Sequence, residues 1–272
     1  MSDIRYLQPT DTSEAMHLSR VAGWNQTEDD WRRVISIAPD GCFGIRTEGR
    51  LVATATAICY GKELAWIGMV LTDPDYRGRG YARRLMKRAL EYLAGRDVAW
   101  IKLDATDMGR PLYSSFGFED ECLVERWWRG GTEGTSARLH GDTVLPLDLD
   151  GAAFGTDRSE LLAKLSPYGC VAGTNGYAMW RPGEKALYFG PCVARQEEEG
   201  RRLFDGFLSA HGGQDIFWDL LPGNSVAVRL ASAAGFECRR RLTRMTLKGR
   251  GSASPLGNND QYVYAIAGFE YG

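Results

Sequence analysis

Residues 70–93 read Val70-Leu-Thr-Asp-Pro-Asp-Tyr-Arg-Gly-Arg-Gly-Tyr-Ala82, then Arg-Arg-Leu-Met-Lys-Arg-Ala-Leu-Glu-Tyr-Leu93. Residues 66–72 have the apolar run of a buried strand, and Asp73-Pro74-Asp75 is turn chemistry that ends it. From Gly80 onward, Tyr81, Ala82, Leu85, Met86, Ala89, Leu90 and Leu93 share one helical face, and Arg83, Arg84, Lys87 and Arg88 the other. A strand, a glycine turn and a helix leave unpaired N–H groups at a helix N-terminus, backed by the positive end of its dipole. That arrangement favours an anion. Gly78 and Gly80 let a phosphate approach the backbone where a Cβ would block it.

Two nucleotide motifs are excluded. A P-loop needs G-x-x-x-x-G-K-[ST], but Tyr-Ala-Arg-Arg follows Gly80; a G-x-G-x-x-G turn would need glycine where Arg83 stands. What remains, Arg77-x-x-Gly80-x-Ala82 between a strand and an amphipathic helix, resembles the pyrophosphate loop of the GNAT superfamily of coenzyme A-dependent N-acyltransferases. The order of predicted elements agrees with that fold: a strand at 4–7, two helices ending near Ile37, and a three-strand meander through Thr72. The helix after Gly80, a parallel strand at 98–105, a short helix at 110–116 and a strand at 118–129 follow. The resemblance implies an α/β (α+β) fold, with a mixed, mostly antiparallel sheet flanked by helices and one splayed parallel strand pair.

Residues 130–141 turn abruptly to small and polar types and read as a linker. The expected domains are 1–130 and 142–272. In the second, a helix is expected at 157–165, a hairpin from 171–180 and 186–193 about Arg181-Pro-Gly-Glu184, helices at 196–210 and 224–234, and strands at 215–220, 236–247 and 262–270. The first domain's seventh strand has its one candidate at 143–149, and the final strand either closes the second sheet or crosses to the first. The second half repeats the first: Ile101-Lys-Leu-Asp104 leads to Leu112-Tyr-Ser-Ser-Phe-Gly-Phe-Glu119, and Ile216-Phe-Trp-Asp219 leads to Leu230-Ala-Ser-Ala-Ala-Gly-Phe-Glu237. The second coenzyme loop is missing; Glu197, Glu198 and Glu199 stand where phosphates would sit, and like charge opposes them there. The chain is similar to tandem GNAT proteins with a divergent C-terminal domain, sharing Gly176-Tyr177, Arg181-Pro182-Gly183, Gly190-Pro191 and Ala194.

The resemblance implies acetyl-CoA as cosubstrate. Backbone of Val70 and Thr72, with Met69 and Leu71 beside them, would pair with the pantetheine arm, and the amides of Arg77, Gly78, Arg79, Gly80, Tyr81 and Ala82 would hold the pyrophosphate. Met69 or Val70 N–H would meet the acyl oxygen. Tyr113 matches the family's Leu-Tyr-x-x-x-Gly-Phe and is expected to protonate the leaving thiolate; its counterpart in the repeat is Ala231. Where many GNAT domains carry an asparagine seven residues earlier, this chain has Thr106, whereas Asn224 in the second half reads as a helix cap. Asp104 is the first candidate base, with Glu63, Asp73 and Asp107 near the cleft by topology and water relay as the alternative.

Composition narrows the partners. In 272 residues, a net charge of −2 gives no reason to expect nucleic acid or an anionic membrane. Cysteines at 42, 59, 122, 170, 192 and 238 form no C-x-x-C, and the histidines at 17, 140 and 211 no ligand pattern. No metal is expected, and the scattered cysteines fit a reduced, cytoplasmic protein. Basic residues 77–88 fit phosphate binding; 239–244 read as a solvated strand face. The leading expectation is acetyl transfer to a primary amine of a small molecule within a ternary complex. A non-catalytic acyl-CoA sensor or scaffold and a protein N-acetyltransferase are the alternatives, with the oligomeric state open.

Overall fold

The computed structural model describes residues 4–132, 144–251 and 254–272. Strand β1 (Ile4–Tyr6) and helices α1 (Thr12–Val21) and α2 (Glu28–Ile37) precede the meander β2 (Cys42–Thr47), β3 (Arg50–Tyr60) and β4 (Leu64–Thr72). Helix α3 (Tyr81–Ala94), β5 (Trp100–Ala105), α4 (Arg110–Ser114) and β6 (Glu119–Arg129) complete the first half. The second half runs α5 (Leu147–Phe154), α6 (Ser159–Leu165), β7 (Cys170–Gly173), β8 (Gly176–Arg181), β9 (Leu187–Ala194), α7 (Glu197–His211), β10 (Ile216–Leu220), α8 (Ser225–Ala233), β11 (Glu237–Lys248) and β12 (Val263–Ala265).

All twelve strands join one sheet in the order β1-β2-β3-β4-β5-β11-β6-β10-β9-β8-β7, with β12 on β9. The halves exchange a strand. β11 pairs antiparallel with β5 from Thr243↔Ala105 to Lys248↔Trp100, and β6 pairs antiparallel with β10 from Leu220↔Glu125 to Ile216↔Arg129. Each half thus lacks its own strand beside the parallel pair and receives the other half's. Packing follows the same plan. Helix α3 buries Leu85, Met86, Ala89 and Leu93 against the first half's strands, and α7 buries Phe204 and Phe207 with Phe189 and Trp218. A third core is common property, joining Trp31 and Trp66 to Tyr177, Leu221 and Tyr271. At roughly 1.5–3 kcal/mol for each large side chain removed from water, this shared core holds the halves together.

Several expectations change. The segment expected as strand 143–149 carries helix α5 from Leu147: Leu145, Leu147 and Leu149 alternate like a strand, but Pro146 at the N-cap and Asp148 in the first turn start a helix, which Gly155 ends in the left-handed region. The expected strand 171–180 is two strands, β7 and β8, joined by a turn. Residues 133–143, most of the expected linker, lie outside the described residues. Gly131 N donates to Asp215 Oδ1 (3.0 Å) and Thr132 N to the Gly212 carbonyl (2.9 Å), so the first half's end is already fastened to the second. The final strand does both things open to it: Val263–Ala265 pairs on β9, and the rest crosses to the first half, where Trp66 Nε1 donates to the Phe269 carbonyl (2.9 Å) and Tyr60 OH to that of Tyr271 (2.8 Å).

The six cysteines are free. Among the described residues no helix is long and apolar enough to cross a membrane.

Strand exchange has a direct consequence. Fragments 1–132 and 144–272 made separately would each expose two unpaired strand edges in mid-sheet. Neither alone is expected to give a cooperative thermal transition by circular dichroism. Co-expressed, they should copurify as a one-to-one complex; independent folding of either would contradict the exchange.

Candidate functional site

The site grows out of the divergence of β4 from β5. The two pair in parallel only from Leu64↔Trp100 to Trp66↔Lys102 and then separate. At the point of separation β4 bulges: Met69 and Val70 stand opposite one residue of β3, and Met69 takes φ 48°, a left-handed conformation uncommon for a side-chain residue. Thr54 Oγ1 donates to the Met69 carbonyl at 2.8 Å. Peptide planarity then turns the Val70 N–H the opposite way, away from Thr54. Gly68 beside the bulge is required by closeness, because a Cβ there would lie 2.9 Å from the Glu270 Cα.

Between the diverging strands lies a cavity of about 380 Å³. Met69, Val70, Leu71, Thr72, Arg77, Ala82, Asp104 and Tyr113 line it. A second opening of about 350 Å³, lined by Gly78, Gly80 and Tyr81, adjoins it through Thr72, Arg77, Ala82 and Leu112, which line both. Asp73 shapes the loop by accepting from Asp75 N at 3.0 Å. Gly78 and Gly80 follow with φ 74° and 75°, and nothing lies within 4 Å of where their Cβ atoms would be. An open cradle at the start of a 14-residue helix, with no acidic residue on its wall, suits a diphosphate. Arg79 lines neither opening; it donates to the Asp75 carbonyl (3.1 Å) and lies over the Tyr76 ring.

The second half shows the same gap filled. β9 and β10 pair in parallel from Leu187↔Ile216 to Phe189↔Trp218, and where they would diverge β12 pairs with β9 while Ile266 N donates to the Asp219 carbonyl at 3.0 Å. Asn224 caps α8 as expected, its Oδ1 accepting from Val226 and Ala227 N. Its Nδ2 also donates to the Gln261 and Val263 carbonyls, both at 3.0 Å, holding the inserted segment. A Cβ on Gly200 would strike the Tyr264 ring at 2.3 Å. The chain's own tail occupies the slot.

Tyr113 is 8% exposed, with its ring edge-on to Phe118. Burial pushes its phenol up from its ordinary range, so it stays protonated and able to donate. Thr106 Oγ1 accepts from Gly109 N at 3.2 Å, fixing the turn into α4. Asp104 reaches the cavity wall with both oxygens occupied: Arg244 Nε and Nη2 of β11 donate to it at 2.9 and 3.1 Å. Burial raises its pKa and Arg244 opposes the rise. This geometry makes Asp104 a strut of the exchanged strand on the cavity wall, its charge shared with Arg244. Glu63 lies off the cavity, its Oε2 accepting from Lys62 N at 3.0 Å, and Asp73 is spent on the loop turn. Asp104 has a repeat-related twin: Asp219 is held by Arg126 Nε and Nη2 at 2.7 and 2.6 Å. Residues 239–244 are therefore not simply a solvated face, since Arg244 is buried.

Sequence reasoning missed one wall. Gln26 from the α1–α2 loop, Arg126, Arg240 and Leu242 from the exchanged strands, and Phe269 and Glu270 from the tail line the cavity. Trp24 lines it too. Glu270 is anchored by Arg181 (2.9 Å) and Gln26 (3.0 Å), and Arg181 also donates to Asp30 at 3.0 Å. Burial would raise the Asp30 carboxyl, but Arg181 and Arg33 hold it below its ordinary value.

Residues 9–118 match the sequence profile of the Acetyltransferase (GNAT) family, and residues 147–265 that of an Acetyltransferase (GNAT) domain. A Bacillus subtilis protein named uncharacterized N-acetyltransferase YitH is 25% identical over 222 residues, 74% of this chain and 76% of that protein. The N-alpha-acetyltransferase RimI of Mycobacterium tuberculosis is 34% identical over 107 residues, 36% of this chain and 66% of its own length. Among solved structures, a Pyrococcus horikoshii protein superposes with a TM-score of 0.82 at 23% identity, over 99% of this chain and 95% of that one. A tandem GNAT protein from the clavulanic acid biosynthesis pathway superposes at 0.60 and 16% identity, over 93% and 100%. These two likenesses speak to fold alone.

Removing one partner of a buried ion pair strands the other's charge. Arg244→Met should cost about 3–5 kcal/mol in urea unfolding. Adding Asp104→Leu should recover most of it; a single variant as stable as the parent would show the pair contributes little.

Proposed function

The chain belongs to the GNAT acetyltransferase family, and from that premise we propose that it acetylates a primary amine of a small molecule, using acetyl-CoA, by direct attack in a ternary complex. One observation carries the reading: the cavity lined by the Met69 bulge and Tyr113 adjoins the open glycine cradle, the two sharing Thr72, Arg77, Ala82 and Leu112. Bound acetyl-CoA supplies a thioester carbonyl as electrophile. The residue 77–82 loop holds the diphosphate through backbone amides, and Thr72 and Leu71 offer strand backbone to the pantetheine arm. Val70 N–H is directed to the acyl oxygen, where charge develops.

The acceptor nitrogen forms the new C–N bond with its lone pair as the C–S bond breaks toward sulfur. Tyr113 OH gives the departing sulfur its proton, a fair match between a phenol and a thiol. A primary amine of pKa about 10.4 is neutral roughly once in 10³ molecules at pH 7, a handicap of about 4–5 kcal/mol. With Asp104 committed to Arg244, the amine's proton leaves through water at the cleft mouth. Direct attack is supported by the wall itself, where no cysteine or serine stands among the described residues to form an acyl-enzyme.

Calorimetric titration tests the first half of this reading. Acetyl-CoA should bind at one site, and Gly80→Glu, which forces a side chain into left-handed backbone and a carboxylate into the cradle, should abolish the heat. Tyr113→Phe should keep the affinity and lower kcat about 10²-fold. Binding at two sites, or none, would refute the assignment.

The pH dependence has a definite sign. Only the neutral amine attacks, and Tyr113 remains protonated because burial raises its pKa. Initial rates at subsaturating amine should therefore climb about tenfold per pH unit from about 6.5 to 8.5. A falling limb in that window would contradict this division of roles.

A further inference from the structure

The cavity end remote from the glycine cradle is built by Trp24, Gln26, Phe269, Glu270, Leu242 and Arg240. Two polar groups there lack hydrogen-bond partners among the described residues: the Gln26 amide oxygen and the Arg240 guanidinium. Gln26 is 5% exposed; its Nε2 donates to Glu270 Oε2 at 3.0 Å, and its Oε1 is buried without a donor. The amide's orientation follows from chemistry. Glu270, ion-paired with Arg181 at 2.9 Å, only accepts, so the NH₂ group must face it and the amide oxygen is left for a donor from elsewhere. A buried acceptor left unpaired is costly, which marks the place of a missing partner. Gln26 and Glu270 line this cavity and a small adjoining pocket as well, and Glu270 packs its backbone on Gly68, next to the Met69 bulge.

Arg240 is the second. Its neighbours are neutralised: Arg239 by Glu237 (2.8 Å), Arg241 by Glu125 (2.9 Å), Arg244 by Asp104 (2.9 Å), and Arg126 opposite it by Asp219 (2.6 Å). The half-buried Arg240 guanidinium has no ion pair or hydrogen bond among the described residues. Burial and the charge of Arg126 both pull its pKa down, and the carboxylates that oppose this are Asp219, already taken, and Asp107 at the rim. An anion arriving with the substrate would complete it.

We propose that the acceptor is an amine that also carries a carboxylate, its nitrogen donating to Gln26 Oε1 and its carboxylate seated on Arg240. Trp24, Leu242 and Phe269 line the space for a short aliphatic body. This rests on the acetyltransferase reading above and narrows its substrate class.

The test is thiol release from acetyl-CoA with three matched acceptor sets: free amino acids, their carboxamides, and the parent amines lacking the carboxyl group. The free acids should exceed both others in kcat/KM by about tenfold or more, the order of one charge-assisted hydrogen bond. Arg240→Met should erase that preference through KM and leave the acetyl-CoA Kd unchanged; Arg240→Lys should restore part of it. Gln26→Leu should lower kcat/KM for acids and amides alike. If acetyl-CoA binds and carboxamides or plain amines react as well as acids, or if no set reacts, the carboxylate assignment is wrong while the coenzyme site stands. Weaker acetyl-CoA binding by Arg240→Met would move that arginine to the coenzyme and overturn the proposal. Failure to bind acetyl-CoA at all would remove both readings together.

Discussion

Two buried arginine–aspartate pairs hold this molecule in its arrangement. Arg244 of β11 grips Asp104 of β5, and Arg126 of β6 grips Asp219 of β10, each with two hydrogen bonds and with the arginine and aspartate drawn from opposite halves. Each aspartate ends the strand that should diverge from its parallel neighbour. Each arginine stands seven residues beyond the repeat's Phe-Glu, at Glu119 and Glu237. Burying such charges is expensive, and only two-pronged geometry offsets the cost. The pairs therefore act as registration pins: slipping either strand along its neighbour would leave a carboxylate and a guanidinium unpaired in the interior.

The cleft of the first half opens on one edge of β5 while the exchanged strand covers the other. β5 pairs along its far edge with β11 in six residue pairs and along its near edge with β4 only as far as Lys102. The second half has the same skeleton and the same opportunity for a cleft, but its own tail has taken the space. Val263–Ala265 lies in the slot, Asn224 holds it, and the residues that follow return to wall the first half's cavity with Phe269 and Glu270. One half thus supplies the coenzyme-type loop. The other supplies a strand, a core and part of the cavity wall.

Some of the site was legible because its signals are local. The glycine cradle, its helix and the shared face of that helix lie within 24 consecutive residues, and turn chemistry and periodicity decide them without reference to the rest of the chain. Tyr113 was legible from a short string and from its loss in the repeat. Asp104 was found as a strand-ending carboxylate, but its partner Arg244 lies 140 residues away, beyond any local signal. The repeat did carry a clue, since Arg126 and Arg244 occupy matching offsets opposite matching aspartates. Helix α5 was misread because three alternating leucines satisfy both periods over so short a span, and a proline at the N-cap settles the matter.

Sequence by itself determined most of the element types, the twofold repeat, the glycine turn of residues 77–82 that favours an anion, and the lack of such a turn in the second half. Those properties follow from side-chain spacing, glycine backbone freedom and charge near a helix terminus, all of which act over a few residues. Only the tertiary structure decided which half each of β6 and β11 completes, where the tail goes, and which charged side chains reach the cavity unpaired. The alternating pattern of a strand is satisfied by either neighbour in a sheet. Buried charge fixes the register, and the two halves share a core that they fill together.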